Sequence, residues 1–484
     1  MTAHQGETSG YEELAPDPYT GEGRSTIRKA IAGSAIGNAT EWYDYGVYAA
    51  TTTYLTQAFF PGDLGGVGTM LGFAISFALR PLGGMVWGPI GDRVGRKAVL
   101  AITILLISLA TALIGLLPTH AVAGIWAPIL LIVLRVIQGF STGGEYGGAA
   151  TFMAEYAPDK KRGGLGSFLE FGTLAGLSAG TGIVLLMDLG LSDDQMQTWG
   201  WRIPFLLALP LGLVGLYLRS QLEDTPVFQE VAESTEFEAI TDDVLNRSPL
   251  SRLGHAIASG AGELVRLCRE YWQPLLVMGG MVIALNVANY TLLAYQPTYL
   301  KTTIGMSETT GSVVILIGQL VMMAMIPFFG AFSDRVGRKP MWWASLAGLF
   351  VFALPLYWLM GQGMGWAIVG FVVLGLLYLP QLSTISATFP AMFPTHVRYA
   401  GFALSYNLST AAFGGTAPLV NEAVVDNGGW NLFPAAYMMG ACVIGMVALA
   451  FLKETAGASL RGTEIPEQHA DYSTLEEVDV TASR

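Results

Sequence analysis

Gly88-Pro-Ile-Gly-Asp-Arg-Val-Gly-Arg-Lys97 and Gly330-Ala-Phe-Ser-Asp-Arg-Val-Gly-Arg-Lys339 are two copies of one stretch in a chain of 484 residues. A second echo follows each copy: Pro158 and Arg162 correspond to Pro394 and Arg398, in the same order and at nearly the same displacement. Two ordered echoes imply a duplicated chain. Working outward from each copy, the flanking sequence is apolar for about 20 residues at a time, the length that crosses ~30 Å of hydrocarbon. That window finds twelve segments, roughly 30–54, 66–90, 98–118, 124–154, 164–188 and 201–220 in the first half. The second half supplies 274–298, 308–331, 341–360, 365–390, 399–420 and 430–452. The expected fold is an all-α integral membrane protein with 12 transmembrane helices in two six-helix pseudo-repeats. The halves run over 28–220 and 274–453, between tails at 1–27 and 454–484, with a joining loop at 221–273.

Composition supports this. Charged residues are 13% of the chain and hydrophobic ones 52%, whereas a soluble globular protein carries about 25% charged residues. The net charge of −12 is local rather than general. Most acids fall before Glu22, between Glu223 and Glu270, or after Lys453, and these read as solvated segments. The polar, acidic N-terminus is not a cleaved leader. Two distant cysteines, Cys268 and Cys442, imply neither a disulfide framework nor a metal site, and no cofactor is expected. Lys and Arg in short loops mark the cytoplasmic face. Fifteen fall on one side, against only Arg202 and Lys301 on the other. Both termini are therefore expected to be cytoplasmic.

The repeated Asp-Arg-Val-Gly-Arg-Lys stretch resembles the signature loop of the major facilitator superfamily, and Arg135-Val-Ile-Gln-Gly139 is similar to its proton-linked motif. Gly37-Asn-Ala-Thr-Glu-Trp-Tyr-Asp-Tyr-Gly46, Gly139-Phe-Ser-Thr-Gly-Gly-Glu-Tyr146 and Trp199-Gly-Trp-Arg-Ile-Pro-Phe205 resemble the metabolite:proton symporters, whose members carry proline and betaine, dicarboxylates, citrate or shikimate. Asn286-Val-Ala-Asn-Tyr-Thr-Leu-Leu-Ala-Tyr-Gln-Pro-Thr-Tyr299 and Pro390-Ala-Met-Phe-Pro-Thr-His-Val-Arg398 look most like the osmoregulatory proline/betaine carriers. The resemblance implies the major facilitator fold and proton-coupled symport of a small zwitterionic solute by alternating access. Its partners are then the solute, protons and the lipid bilayer, with no nucleic acid and no prediction of oligomeric state. Some members end in a long heptad-bearing tail that adjusts osmotic response; here the tail is short, acidic and without heptads.

Candidate pathway residues follow from polar groups inside apolar segments. Asn38, Glu41, Tyr45, Tyr48 and Thr52 recur at helical spacing on one stripe, with Asp44 at its edge. A carboxylate there costs ~2.5–3.5 kcal/mol on the insertion scale, so it is rarely kept without use. Two readings fit Glu41: a proton carrier, since burial in general favours a neutral carboxyl, or a structural partner for a buried arginine. In the fourth segment Arg135, Gln138, Thr142 and Glu145 share a face beside Tyr146, and Gly139, Gly143 and Gly147 form a stripe for close packing. Aromatic faces attract ammonium groups, which nominates Trp42, Tyr45, Tyr48, Tyr146 and Tyr290, with Asn286 and Asn289 as hydrogen-bonding groups. Asp92, Arg93, Arg96 and Glu155, with Asp334 and Arg335 in the second copy, are the expected cytoplasmic gate, the loop cations pairing with carboxylates such as Glu155. Glu170 is either a pathway residue or the partner of Arg80. The rival substrate class is a dicarboxylate or other organic acid. A dianion needs two or more cations in the cavity, and only Arg80 and Arg135 lie deep. No metal-ligand spacing, nucleotide loop or catalytic triad argues for an enzyme.

Overall fold

The computed structural model describes residues 21–60, 65–94, 96–220, 262, 265–460 and 465–466. The first tail to residue 20 and most of the expected joining loop, 221–261, lie outside the described residues. Among the described residues, a helix of 12 or more residues falls in each of the twelve expected segments: α1 Gly21–Ala50, α2 Gly65–Val94, α3 Arg96–Leu116, α4 Trp126–Tyr156, α5 Phe168–Gly190 and α6 Ala208–Ser220. The second half contains α7 Trp272–Asn289, α8 Glu308–Val336, α9 Arg338–Met360, α10 Met364–Leu382, α11 Arg398–Ser409 and α12 Phe433–Ala450. No strand occurs among the described residues. Helices are what hydrocarbon permits, because each satisfies its own backbone hydrogen bonds. Nine spans among the described residues are long and apolar enough to cross a membrane. α1 falls short by that measure because Asn38, Glu41 and Asp44 lower its mean hydropathy.

Without a hydrophobic force between helices in lipid, association depends on close packing at small residues. α5 carries Gly172, Gly176 and Gly180 four residues apart against α1. A Cβ at Gly172 or Gly176 would lie 2.2 Å from the carbonyl oxygen of Ala35 or Ala39. α4 meets α2 the same way: a Cβ at Gly139 would stand 2.1 Å from the Ser76 oxygen, and one at Gly143 2.2 Å from that of Arg80. The glycine stripe of α4 is thus a packing surface. Large apolar residues such as Leu213, Phe328, Trp358 and Val447 remain exposed around the outside, as a lipid-facing belt requires.

The backbone departs from regular helix in three informative places. Thr51 separates α1 from a short helix, Thr52–Phe59. α7 continues into a π-helical stretch, Tyr290–Tyr295, and α11 into another, Thr410–Gly414. The two stretches fit each other: Asn286 donates to the Thr410 hydroxyl at 2.9 Å, and a Cβ on Gly414 would lie 2.7 Å from the Tyr290 ring. Irregular backbone at membrane depth is tolerated where it lines a cavity, and π turns concentrate at such places.

Candidate functional site

The halves are joined most tightly at the end that carries the signature loops. Arg398 at the start of α11 donates to Glu155 of α4 at 2.8 Å, with both side chains fully buried. Asp334 accepts the backbone N–H groups of Gly163 and Gly164 of the first half, each at 2.8 Å, and also pairs with Arg338 at 2.6 Å. The Tyr399 hydroxyl donates to the Gly144 carbonyl, and Asn407 donates to that of Gly143 at 2.6 Å. The chain after α12 crosses this end. Arg162 donates to the Ala458 carbonyl and Arg398 to that of Leu460, each at 2.8 Å. Glu454 accepts the N–H groups of Arg338 and Lys339 at the start of α9, at 2.9 and 3.0 Å. Residues 454–460 are therefore docked, which corrects the reading of everything after Lys453 as a solvated tail.

Glu155 belongs to this closure, where Arg398 of the opposite half is a partner that the sequence reading did not name. Arg398 lies where α11 begins against α4, so it reaches across the halves. The repeat held the signal, since Arg162 and Arg398 are equivalent and bond alike. Their Nε atoms donate to the carbonyls of Ala154 and Pro390, at 3.0 and 3.1 Å. Arg335 is exposed. The side chains of Asp92, Arg93 and Arg96 lie outside the described set.

Deeper in the first half, two acid–arginine pairs stand one turn apart on α1. Glu41 pairs with Arg80 of α2 at 3.4 Å, and Arg80 donates to the Tyr45 hydroxyl at 2.6 Å. The Arg80 guanidinium also lies 4.5 Å from the centre of the Phe77 ring. Asp44 accepts from Arg135 at 2.9 Å, Gln138 at 2.9 Å and Thr111 at 3.1 Å. The Tyr48 ring lies 3.6 Å beneath the Arg135 guanidinium. Glu145 accepts from Thr103 of α3. Arg80 thus takes Glu41 and not Glu170.

The stripe on α1 does not face one cavity. Asn38 turns to α5, donating to the Leu169 carbonyl at 2.7 Å and to Thr173 at 2.6 Å. Tyr48 packs inside the first half with Val47, Leu55 and Trp201, and the Asp44–Arg135–Gln138 group is internal to that half too. Because α1 is packed on several sides, residues on one stripe meet different neighbours.

What faces the other half is a tight cavity lined by Trp42, Tyr146, Glu170, Leu285, Asn286, Asn289, Tyr378, Leu382, Ile385 and Tyr406. The Trp42 ring stacks 6.4 Å from that of Tyr290, and Tyr290 stands edge-on to Phe77 at 5.2 Å. The Tyr146 and Tyr406 rings stack across the halves at 4.6 Å. The Tyr378 hydroxyl donates to the Asn289 carbonyl oxygen at 3.1 Å. Sequence reasoning placed Trp42, Tyr146, Asn286 and Asn289 among the candidates and missed Tyr378 and Tyr406. Tyrosines in membrane helices most often pack or sit at interfaces, so nothing local marks these two.

A family profile described as "Sugar (and other) transporter" matches residues 30–465. The chain belongs to that transporter family. It is 40% identical to the "Glycine betaine/proline/ectoine/pipecolic acid transporter OusA" of Dickeya dadantii (strain 3937), over 97% of this chain and 94% of that one. It is 40% identical to the "Proline/betaine transporter" of Escherichia coli (strain K12), over 90% of this chain and 85% of the other. Among solved structures, the major facilitator superfamily proton:xylose symporter XylE bound to 6-bromo-6-deoxy-D-glucose superposes with a TM-score of 0.72 at 18% identity, covering 90% of this chain and 98% of that one. The inward-open form of XylE from E. coli gives 0.60 at 19% identity. The fold is that of the major facilitator superfamily, and the chain is a multi-pass membrane transporter rather than an enzyme.

Proposed function

We propose that this transporter takes up a small zwitterionic compatible solute, proline, glycine betaine or a close relative, together with protons. The observation that carries the reading is the charge inventory of the interface. Its lining holds aromatic rings, two asparagines and one carboxylate, but no basic side chain. The two deep arginines, Arg80 and Arg135, already hold Glu41 and Asp44. A dianionic solute needs uncommitted cations; a zwitterion needs ring faces and an acid for its ammonium, and N–H donors for its carboxylate. The relatives' names support the same substrate class.

Glu41 is the proposed proton carrier. Its contact with Arg80 is longer than that between Asp44 and Arg135, and it is next to Trp42, which lines the cavity. A proton arriving at Glu41 would release Arg80, and such an exchange couples protonation to movement of α1 against α2. Closure at the signature-loop end is the proposed gate, built by Glu155, Arg398, Asp334 and Arg338; Asp92, Arg93 and Arg96 retain the gating role the repeat gives them. The basic-residue asymmetry supports a cytoplasmic position for this end, both tails and the 221–273 loop, and 28–220 and 274–453 are the halves proposed to rock. Labelled proline, glycine betaine and 2-oxoglutarate presented to proteoliposomes, with and without an inward proton gradient, test the proposal. Saturable, mutually competing, gradient-driven uptake of the first two is expected. Uptake of 2-oxoglutarate without them would replace the zwitterion by an organic acid.

A further inference from the structure

The buried acids of the first half are not equivalent. Glu41, Asp44 and Glu155 each face an arginine. Glu170, near the start of α5 and 2% exposed, faces none among the described residues. Its carboxylate accepts only neutral hydroxyls: Tyr146 donates to one oxygen and Thr173, itself held by Asn38, donates to the other at 3.0 Å. Each oxygen keeps further acceptor capacity. A carboxylate held at membrane depth by uncharged donors is costly, and Glu170 has no counter-charge among the described residues.

Its surroundings favour a cationic ligand group. Glu170 opens on the cavity between the halves, where the rings of Trp42, Tyr146, Tyr378 and Tyr406 surround it. Stacked rings beside an acid provide cation–π attraction from their faces and a full opposite charge from the acid. On the facing wall Asn289 commits its carbonyl oxygen to Tyr378, which leaves its N–H2 group to donate. We infer that Glu170 is the counter-charge that receives the ammonium group of the transported solute within this ring of aromatics. The inference rests on the zwitterion reading above and adds its polarity: ammonium on the first half, carboxylate on the second. A solute held at both ends pulls the halves together, so binding itself favours closure around it.

The test is equilibrium binding to the purified full chain of glycine betaine and of 3,3-dimethylbutanoate, which replaces the trimethylammonium by a tert-butyl group of the same shape. The wild-type protein should prefer betaine by about 100-fold, the scale of a buried charge pair that loses one partner. Glu170→Gln should remove most of that preference, weakening betaine strongly and leaving the tert-butyl isostere, which lacks the ammonium charge, within about threefold, since the amide keeps size and hydrogen bonding. A folded Glu170→Gln protein that binds betaine as tightly as wild type overturns the inference. So does a wild-type protein that fails to discriminate the two ligands, a result that needs no variant to fold. Normal betaine binding by Glu170→Gln with loss of gradient-driven accumulation also overturns it, and moves Glu170 to the proton path. A wild-type protein that binds 2-oxoglutarate and neither betaine nor proline instead removes the zwitterion reading itself.

Discussion

Among the described residues, the first half buries Glu41, Asp44, Arg80, Arg135, Glu145 and Glu170 deep in its helices and Glu155 and Arg162 at the signature-loop end, whereas the second half buries only Arg338 and Arg398, both at that end. Facing the cavity, the second half offers Asn286, Asn289, Tyr378 and Tyr406. Duplication gave both halves the same loops and the same arginine before the fifth and eleventh helices, and the membrane-depth residues then diverged. One half came to hold ionisable groups and the other amides and rings. This division suits coupling. On the reading proposed above, proton-dependent rearrangement is concentrated in one half, while the solute touches both and reports it across the interface.

The largest effect should come from breaking the best-satisfied pair in the charged half. Asp44→Asn leaves Arg135 buried without its carboxylate, a change that typically costs about 3–5 kcal/mol. The expected outcome is a much lower melting temperature in detergent and no uptake. Adding Arg135→Gln should restore most of the stability, because both charges are then gone, but not gradient-driven uptake. A stable, fully active Asp44→Asn protein would break the comparison by showing that the charged half carries no coupling.

The two equivalent arginines allow a second test, of the closed end. Arg398 pairs with a fully buried acid of the opposite half, while Arg162 pairs with Asp159 of its own half, whose side chain is 41% exposed. Glu155→Gln should destabilise the closed arrangement by about 2–5 kcal/mol and shift the population toward opening at that end. Faster alkylation of a cysteine introduced at Ser386, which bonds the Gly166 carbonyl across the interface at 2.7 Å, would register it. Asp159→Asn should leave that rate nearly unchanged. Equal effects of the two substitutions would mean that closure does not depend on the cross-half pair.

These contrasts were unevenly legible beforehand. The duplicated loop gave the twelve helices and the halves, because a repeat survives in sequence order and hydrocarbon thickness sets segment length. Glu41, Asp44 and Arg135 stood out because charge in an apolar run is conspicuous, yet their pairing was not readable. Which acid meets which arginine depends on how α1 rotates against α2, α4 and α5, and the glycine contacts that set this rotation look alike in sequence. Tyr378 and Tyr406 were invisible for the opposite reason: nothing separates a cavity tyrosine from a packing one until the facing half is in place. Glu170 was visible but ambiguous, and the commitment of Arg80 to Glu41 removes one of its two alternatives.

The smallest expected effect sharpens the comparison from the second half. Asn289→Ala removes the N–H2 donor proposed for the solute carboxylate and also leaves the Tyr378 hydroxyl without its acceptor. A hydrogen bond to a charged group is worth about 1.5–3 kcal/mol, and part of that returns if the Tyr378 hydroxyl reorients toward the solute. KM for betaine should therefore rise about tenfold rather than a hundredfold. The residue touches no acid–arginine pair, so the dependence of uptake on the proton gradient should be unchanged. That split between affinity and coupling is the signature of a half that recognises the solute without handling protons. If Asn289→Ala instead uncoupled uptake from the gradient at normal KM, the second half would take part in proton transfer and the division of labour between the halves would fail.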